Sequence, residues 1–430
     1  MACNDTEKRF LTVLRLALRG KRAEYPAMEN DAMSALLRLA AQQKLLPLIF
    51  DALYGCGAIP ETEAALAYRK AARRQILVQT AGQMFFRAVY TDLLQAGFQP
   101  LAVKGCLCRA VYPNGALRPS ADEDLVVGAE AFAAANQRLQ SLGFHPTTKT
   151  EWNACYEIGW RSPEHPLTLE LHRSFFPEDS FCPGFNRLFA GSFDRAAAYE
   201  VEDGLKVLSL SAHDHLLYLL LHAMKHFIRS GFGLRQVCDI GLWAERYAGQ
   251  IDWDRLEAQT ASVHAERFSA AVLNLCRLEL GLLPDLPPPW RGKTVDYHSM
   301  LEDLLEAGIY GSSSKSRLHT ARVTQDAVAS GRSGALRETV LAAFPPANSL
   351  RSDYPTLKKH PVLLPTVWAR RIGKYVRQTQ RMPENGLRRT LSLEKRRLEL
   401  LREYGILESG SKRGNALRST PTEDHHEDQT

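Results

Sequence analysis

What the chain lacks narrows its class before anything else does. Its most apolar run, LLYLLL at 216–221, falls far short of the roughly 20 residues a membrane helix needs. The opening residues, MACNDTEKRF, hold no apolar stretch of the kind that directs secretion. A soluble, cytoplasmic protein without membrane attachment is therefore expected. The cysteines (Cys3, Cys56, Cys106, Cys108, Cys155, Cys182, Cys238 and Cys276) include no C-x-x-C pair. Cys106 and Cys108 have no second pair nearby to complete a zinc site, so all are read as reduced thiols. His222 and His226 are spaced like the histidines of a zinc-protease helix, but Ala223 follows His222 where that motif needs Glu. That speaks against a zinc protease of this motif. No internal repeat is visible.

What is present is ordinary globular composition: 430 residues, 45% hydrophobic and 24% charged. That length suits two or three domains with a sizeable core. The formal charge of +6 is unevenly spread: residues 351–418 carry 17 Lys/Arg against 6 Asp/Glu. This basic C-terminal region suits either a phosphate-rich partner or a solvated helix face. It lacks the interleaved aromatics on which nucleic-acid bases stack.

Periodicity divides the chain. Residues 1–97 read as helices: Phe10, Val13, Leu14, Ala17 and Leu18 repeat at helical spacing, TEAALAYRK continues the pattern, and Gln75–Ala96 forms a further amphipathic helix. Residues 98–205 change character. FQPLAVKG and DLVVG are short strands, AEAFAAANQRLQSLGF is a helix ended by Gly143, and WNACYEIGW and LTLELHRSF alternate like strands. Helices return over 206–290, the first with Ser209 or Ser211 as N-cap. Residues 291–407 form a C-terminal helical region with a mobile Gly/Ser-rich loop, and 408–430 read as a disordered tail. The expected class is α+β, a small mixed sheet flanked by helical regions.

One constellation carries chemistry. In a strand, residues i and i+2 share a face, so Asp122 and Asp124 project together from DEDLVV. Adjacent carboxylates repel unless a cation lies between them, and hard divalent cations take oxygen ligands of this type. LTLELH supplies a third carboxylate, Glu170, which shares a face with Thr168 and His172 opposite Leu167, Leu169 and Leu171. His172 could orient Glu170, touch phosphate or be structural. Lys104 and Gly105 close the first strand in a turn whose amides could cradle a phosphate. Arg118 precedes the aspartate strand and could reach phosphate or form a surface salt bridge. His222 and His226 share a helix face that would line a nucleotide pocket or else consist of ordinary packing or surface histidines. Asp239 is read as anchoring a helix, not as catalytic.

At these residues the chain resembles the bacterial uncharacterised nucleotidyltransferase family proteins, a branch of the DNA polymerase β-like nucleotidyltransferase superfamily. The resemblance lies in LAVKG (101–105), VYPNGALRPSADEDLVV (111–127), LELHRSF (169–175), LLLHAMKHF (219–227) with LRQVCDIGLW (234–243), and 342–372, so it reaches from about 98 to 375. It implies a nucleotidyltransferase-type mixed sheet with Asp122, Asp124 and Glu170 as metal-binding catalytic residues for Mg²⁺ or Mn²⁺. It also implies transfer of a nucleoside monophosphate from an NTP to an unknown hydroxyl acceptor, with release of pyrophosphate. Lys104 and Gly105 occupy the place where the superfamily contacts phosphate. The chain departs from the pattern in its Lys-Gly turn, usually Gly-Gly or Gly-Ser, and in Glu123, usually apolar. Glu123 is expected on the face of Leu125 and Val127, at the strand's exposed start or in a loosened site. These departures point to the alternative, a degenerate fold serving as a nucleotide-binding or protein-interaction module.

Overall fold

The computed structural model describes residues 3–147, 152, 155–165, 167–178, 184–229, 232–293, 295–307, 364–368, 370, 396 and 399–406. Residues 1–313 form one compact unit and 314–430 a second. In the second, Leu364 and Trp368 pack on Val367, and the basic region, the Gly/Ser-rich loop and the tail lie largely or wholly outside the described residues.

The first unit opens with helices α1 (Asp5–Ala17), α2 (Asn30–Gln42), α3 (Leu46–Leu53) and α4 (Glu63–Gln95). A capping box starts α1: Glu7 N–H donates to Asn4 Oδ1 at 3.0 Å and Asn4 N–H to Glu7 Oε2 at 2.8 Å. Phe10, Val13, Leu14 and Ala17 are buried, as their spacing requires. The two helices expected over 63–96 are one. No proline interrupts them, and Gly82 is buried where His165 and Leu167 pass close by. Packing there offsets the roughly 1 kcal/mol a helical glycine costs.

Strands β1 (Leu101–Val103), β2 (Asp122–Val126), β3 (His145–Pro146), β4 (Glu157–Arg161) and β5 (Thr168–His172) build a mixed sheet in the order β1-β2-β5-β4-β3. Only the β2–β5 pairing is parallel. Between the strands lie α5 (Gly105–Ala110) and α6 (Gly128–Ser141), and Trp160 Nε1 on β4 donates to Asn136 Oδ1 on α6 at 2.8 Å. β6 (Ala197–Glu200) and β7 (Lys206–Ser209) form a separate antiparallel pair. Tyr90 on α4 ties these pieces together: its hydroxyl donates to Pro100 O at 3.1 Å and accepts from Leu208 N–H at 2.8 Å.

The helical part follows as α7 (Ala212–Arg229), α8 (Leu234–Arg246), α9 (Trp253–Ser262), α10 (Glu266–Leu278), α11 (Pro288–Arg291) and α12 (His298–Ala307). Ser211 is the residue that caps α7, its Oγ accepting from Asp214 N–H at 3.1 Å, while Ser209 Oγ donates to Ala102 O. Gly241 lets α8 lie close to α10, because a Cβ there would fall 2.6 Å from Leu282 Cδ1 and 3.0 Å from Cys276 Sγ. No helix among the described residues is long and apolar enough to cross a membrane.

Candidate functional site

The parallel register sets the site. It places Asp124 directly opposite Glu170 and Asp122 opposite Thr168. Leu169 and Leu171 turn inward, so Glu170 and His172 emerge together on the other face. His172 Nε2 lies 3.1 Å from Asp124 Oδ1 and 3.8 Å from Glu170 Oε2. Asp124, Glu170 and His172 each offer a ligand atom within 4.8 Å of the others. The mutually close set is therefore two carboxylates and an imidazole, not the three carboxylates expected. Asp122 lines the same cavity without joining that group.

Electrostatics agree with a cation-seeking cluster. Burial and the Asp124 charge push the Glu170 carboxyl up to about 8. Burial alone would also raise Asp124, but the adjacent Lys104 ammonium and the His172 hydrogen bond hold it well below the ordinary carboxylate range. Lys104 Nζ sits 2.8 Å from Asp124 Oδ1. Burial opposes its charge; Asp124 restores it and keeps Lys104 protonated. Lys104 Nζ also lies 3.1 Å from His222 Nε2, and His222 Nε2 lies 3.2 Å from His226 Nε2. Burial, then Lys104, drive the His222 pKa well below its ordinary value, so this imidazole is neutral. The donor set fits a divalent ion: two carboxylates repel across a gap that a cation would bridge, and Glu157 Oε2 lies 3.5 Å from His172 Nδ1, on the far side of the ring.

The turn between β1 and α5 differs from expectation. Lys104 has φ +59° and Gly105 φ +25°. Glu123 is neither exposed nor loose: it is 1% exposed. Its carboxylate accepts from Cys106 N–H at 2.8 Å and pairs with the fully buried Arg109, which also donates to Glu202 Oε1 at 2.9 Å. A Cβ on Gly105 would fall 2.7 Å from Glu123 Cδ, so only glycine fits. Thus Glu123 straps the turn from behind, on the face of β2 away from Asp122 and Asp124.

Arg118 is no surface salt bridge. It is buried, donating to Asp239 Oδ1 at 3.0 Å and Oδ2 at 2.6 Å, and to Ser120 Oγ at 3.2 Å. Tyr112 OH donates to the same Asp239. Burial would raise the Asp239 pKa; Arg118 overrides it and lowers it. Asp239 therefore anchors α8 to the segment before β2.

Lys104, Gly105, Arg118, Asp122, Asp124, Glu170, His172, His222 and His226 all line one cavity of about 260 Å³. Periodicity gave no hint of Lys225 and Arg235, which line it too, nor of Arg109, whose pairing with Glu123 depends on tertiary contact. The described cysteines are free, and burial pushes the Cys106 and Cys108 thiols up, so neither is primed as a ligand; Cys182 lies outside the described residues.

A model of the family described as uncharacterised nucleotidyltransferase matches residues 29–281, more than half of the chain. The chain belongs to this family. The nucleotidyltransferase match starts inside the first helices, earlier than the resemblance from 98 suggested. It stops before 342–372, so it takes in the sheet and the helices α7 and α8 that face it. No curated protein matches the chain.

Proposed function

We propose that the chain moves a nucleoside monophosphate from an NTP to a hydroxyl acceptor and releases pyrophosphate. The observation that carries this reading is the meeting of Asp124, Glu170 and His172 with Asp122 in one cavity, in a chain of the nucleotidyltransferase family. Asp124, Glu170 and His172 would hold a divalent ion, with Asp122 beside them. When bound, such an ion neutralises triphosphate and leaving-group charge and acidifies an acceptor hydroxyl. The protein's own groups prepare that place. Lys104 keeps Asp124 ionised, and the Glu157 carboxylate stands 3.5 Å from His172 Nδ1, near enough to favour a proton on that nitrogen and leave Nε2 for the ion. An imidazole among the donors favours Mn²⁺ over Mg²⁺, which prefers all-oxygen shells.

The other reading, a nucleotide-binding or interaction module without catalysis, drew on Glu123 and on the Lys-Gly turn. The Arg109 pairing gives Glu123 a structural place away from the aspartates, which leaves the turn as its support. Incubation with each labelled NTP, Mn²⁺ and cell extract separates the two. We expect labelled acceptor with the wild type and none with Asp122→Ala plus Asp124→Ala. Label transfer that survives both substitutions sinks the metal assignment. NTP binding without transfer to any acceptor favours the module.

A further inference from the structure

The turn that opens α5 has few donors to spare. Lys104 N–H donates to His215 Nε2 at 3.2 Å, Cys106 N–H to Glu123 Oε2 at 2.8 Å and Leu107 N–H to Lys104 O at 2.9 Å. An amide has one proton, so these three have none left for a phosphate. The Lys104 ammonium is shared by Asp124 and His222. Arg118 is held along its edge by both oxygens of Asp239. A polyphosphate entering the cavity would also face Asp122, Asp124, Glu157 and Glu170 on the sheet side. Its countercharge has to come from elsewhere.

The helical wall supplies it. Lys225 on α7 and Arg235 on α8 both line the cavity. Lys225 is 8% exposed, with Nζ 3.4 Å from the Tyr156 hydroxyl and 5.8 Å from that ring's centre. Arg235 donates from Nη1 to Pro119 O, and its buried Nε has no hydrogen-bond partner among the described residues. A buried donor without an acceptor is costly, and a phosphate oxygen in the cavity that Arg235 lines would give its guanidinium a charged acceptor.

We infer that Lys225 and Arg235 hold the polyphosphate of the nucleotide, a task for which the Lys104–Gly105 turn has only the Gly105 amide to offer. The metal cluster then lies on the sheet wall and the phosphate anchors on the helical wall. This inference rests on the cavity being the NTP site, and it names the groups that grip the anionic part of that substrate.

Titration of the full chain with inorganic tripolyphosphate and Mn²⁺, beside Mn²⁺ alone followed by electron paramagnetic resonance, tests it. Lys225→Gln and Arg235→Gln should each weaken tripolyphosphate binding about tenfold or more, and the pair about 100-fold, as expected for charged hydrogen bonds. Mn²⁺ binding should stay within about twofold, and Arg235→Lys should retain more affinity than Arg235→Gln. A double variant that binds tripolyphosphate like the wild type overturns the inference and leaves nucleotidyl transfer standing. Loss of Mn²⁺ binding in the same variants also overturns it, because the two residues would then be structural. Loss confined to tripolyphosphate, in a protein that transfers no nucleotide to any acceptor, supports the anchors and removes the enzymatic reading instead.

Discussion

Replacing Gly105 by alanine should damage the protein through Glu123, and a double-mutant cycle can show it. The added Cβ would fall 2.7 Å from Glu123 Cδ, so the carboxylate must leave its place. Leaving breaks a pair in which neither side chain is more than 2% exposed and strips the Cys106 amide of its acceptor. Removing one partner of a buried pair costs about 3–5 kcal/mol; Glu202 remains on Arg109 and places Glu123→Ala near the low end, about 3 kcal/mol. Gly105→Ala should lose the same contacts and add about 1 kcal/mol for a side chain at positive φ. In the Glu123→Ala background the clash is gone, and Gly105→Ala should cost only that last ~1 kcal/mol. The two changes therefore fall short of additivity by about 2–3 kcal/mol. Urea unfolding followed by circular dichroism measures all four proteins. Additivity within about 0.5 kcal/mol would refute the idea that Glu123 holds the turn.

Other expectations follow from the same geometry. Asp239→Ala should cost about 3–5 kcal/mol in unfolding experiments, because Arg118 would be left buried without its carboxylate. The Asp239 pKa is lowered in the folded chain, so its stabilisation is complete above the ordinary carboxylate value and fades as pH falls; Asp239→Asn should flatten that acid limb of the urea midpoint. Glu170 behaves in the opposite sense. With its pKa raised to about 8 from 4.5, the metal-free chain should lose stability as pH rises between those values, and Glu170→Gln should remove that slope. Mn²⁺ must displace the Glu170 proton, so its affinity should climb up to about pH 8 with proton release seen by calorimetry; a flat profile would contradict this. Mn²⁺ should bind more tightly than Mg²⁺, and His172→Asp should narrow the gap. None of the described cavity-lining residues is Phe, Tyr or Trp, so the four ribonucleotide triphosphates should bind within about tenfold of one another in competition titrations.

Much of the site could be read from the residues because it depends on short periods. The i, i+2 spacing of Asp122 and Asp124, the alternation of LTLELH and the i, i+4 spacing of His222 and His226 are local facts, and each placed its residues on the cavity. What escaped depends on partners far along the chain. Glu123 looks like a departure until Arg109 is found beneath it, and Arg118 suits a phosphate contact or a surface salt bridge until Asp239, 121 positions away, takes it up. Alternation leaves His172 to orient Glu170, touch phosphate or be structural; the parallel register sets it close enough to Asp124 that it could serve as a ligand. The join of two expected helices into α4 is hidden for a similar reason, since the packing against Gly82 comes from His165 and Leu167.

The Arg118–Asp239 pair has a consequence for how molecules come and go. It fastens α8, which carries Arg235, to the segment that leads into the aspartate strand. Swinging the helical wall away from the sheet would pull these desolvated charges apart before any ligand could slip through. The pair thus holds the helical wall and the sheet wall together at the cavity's edge. On the proposed reading, substrates would enter and leave without that wall swinging open.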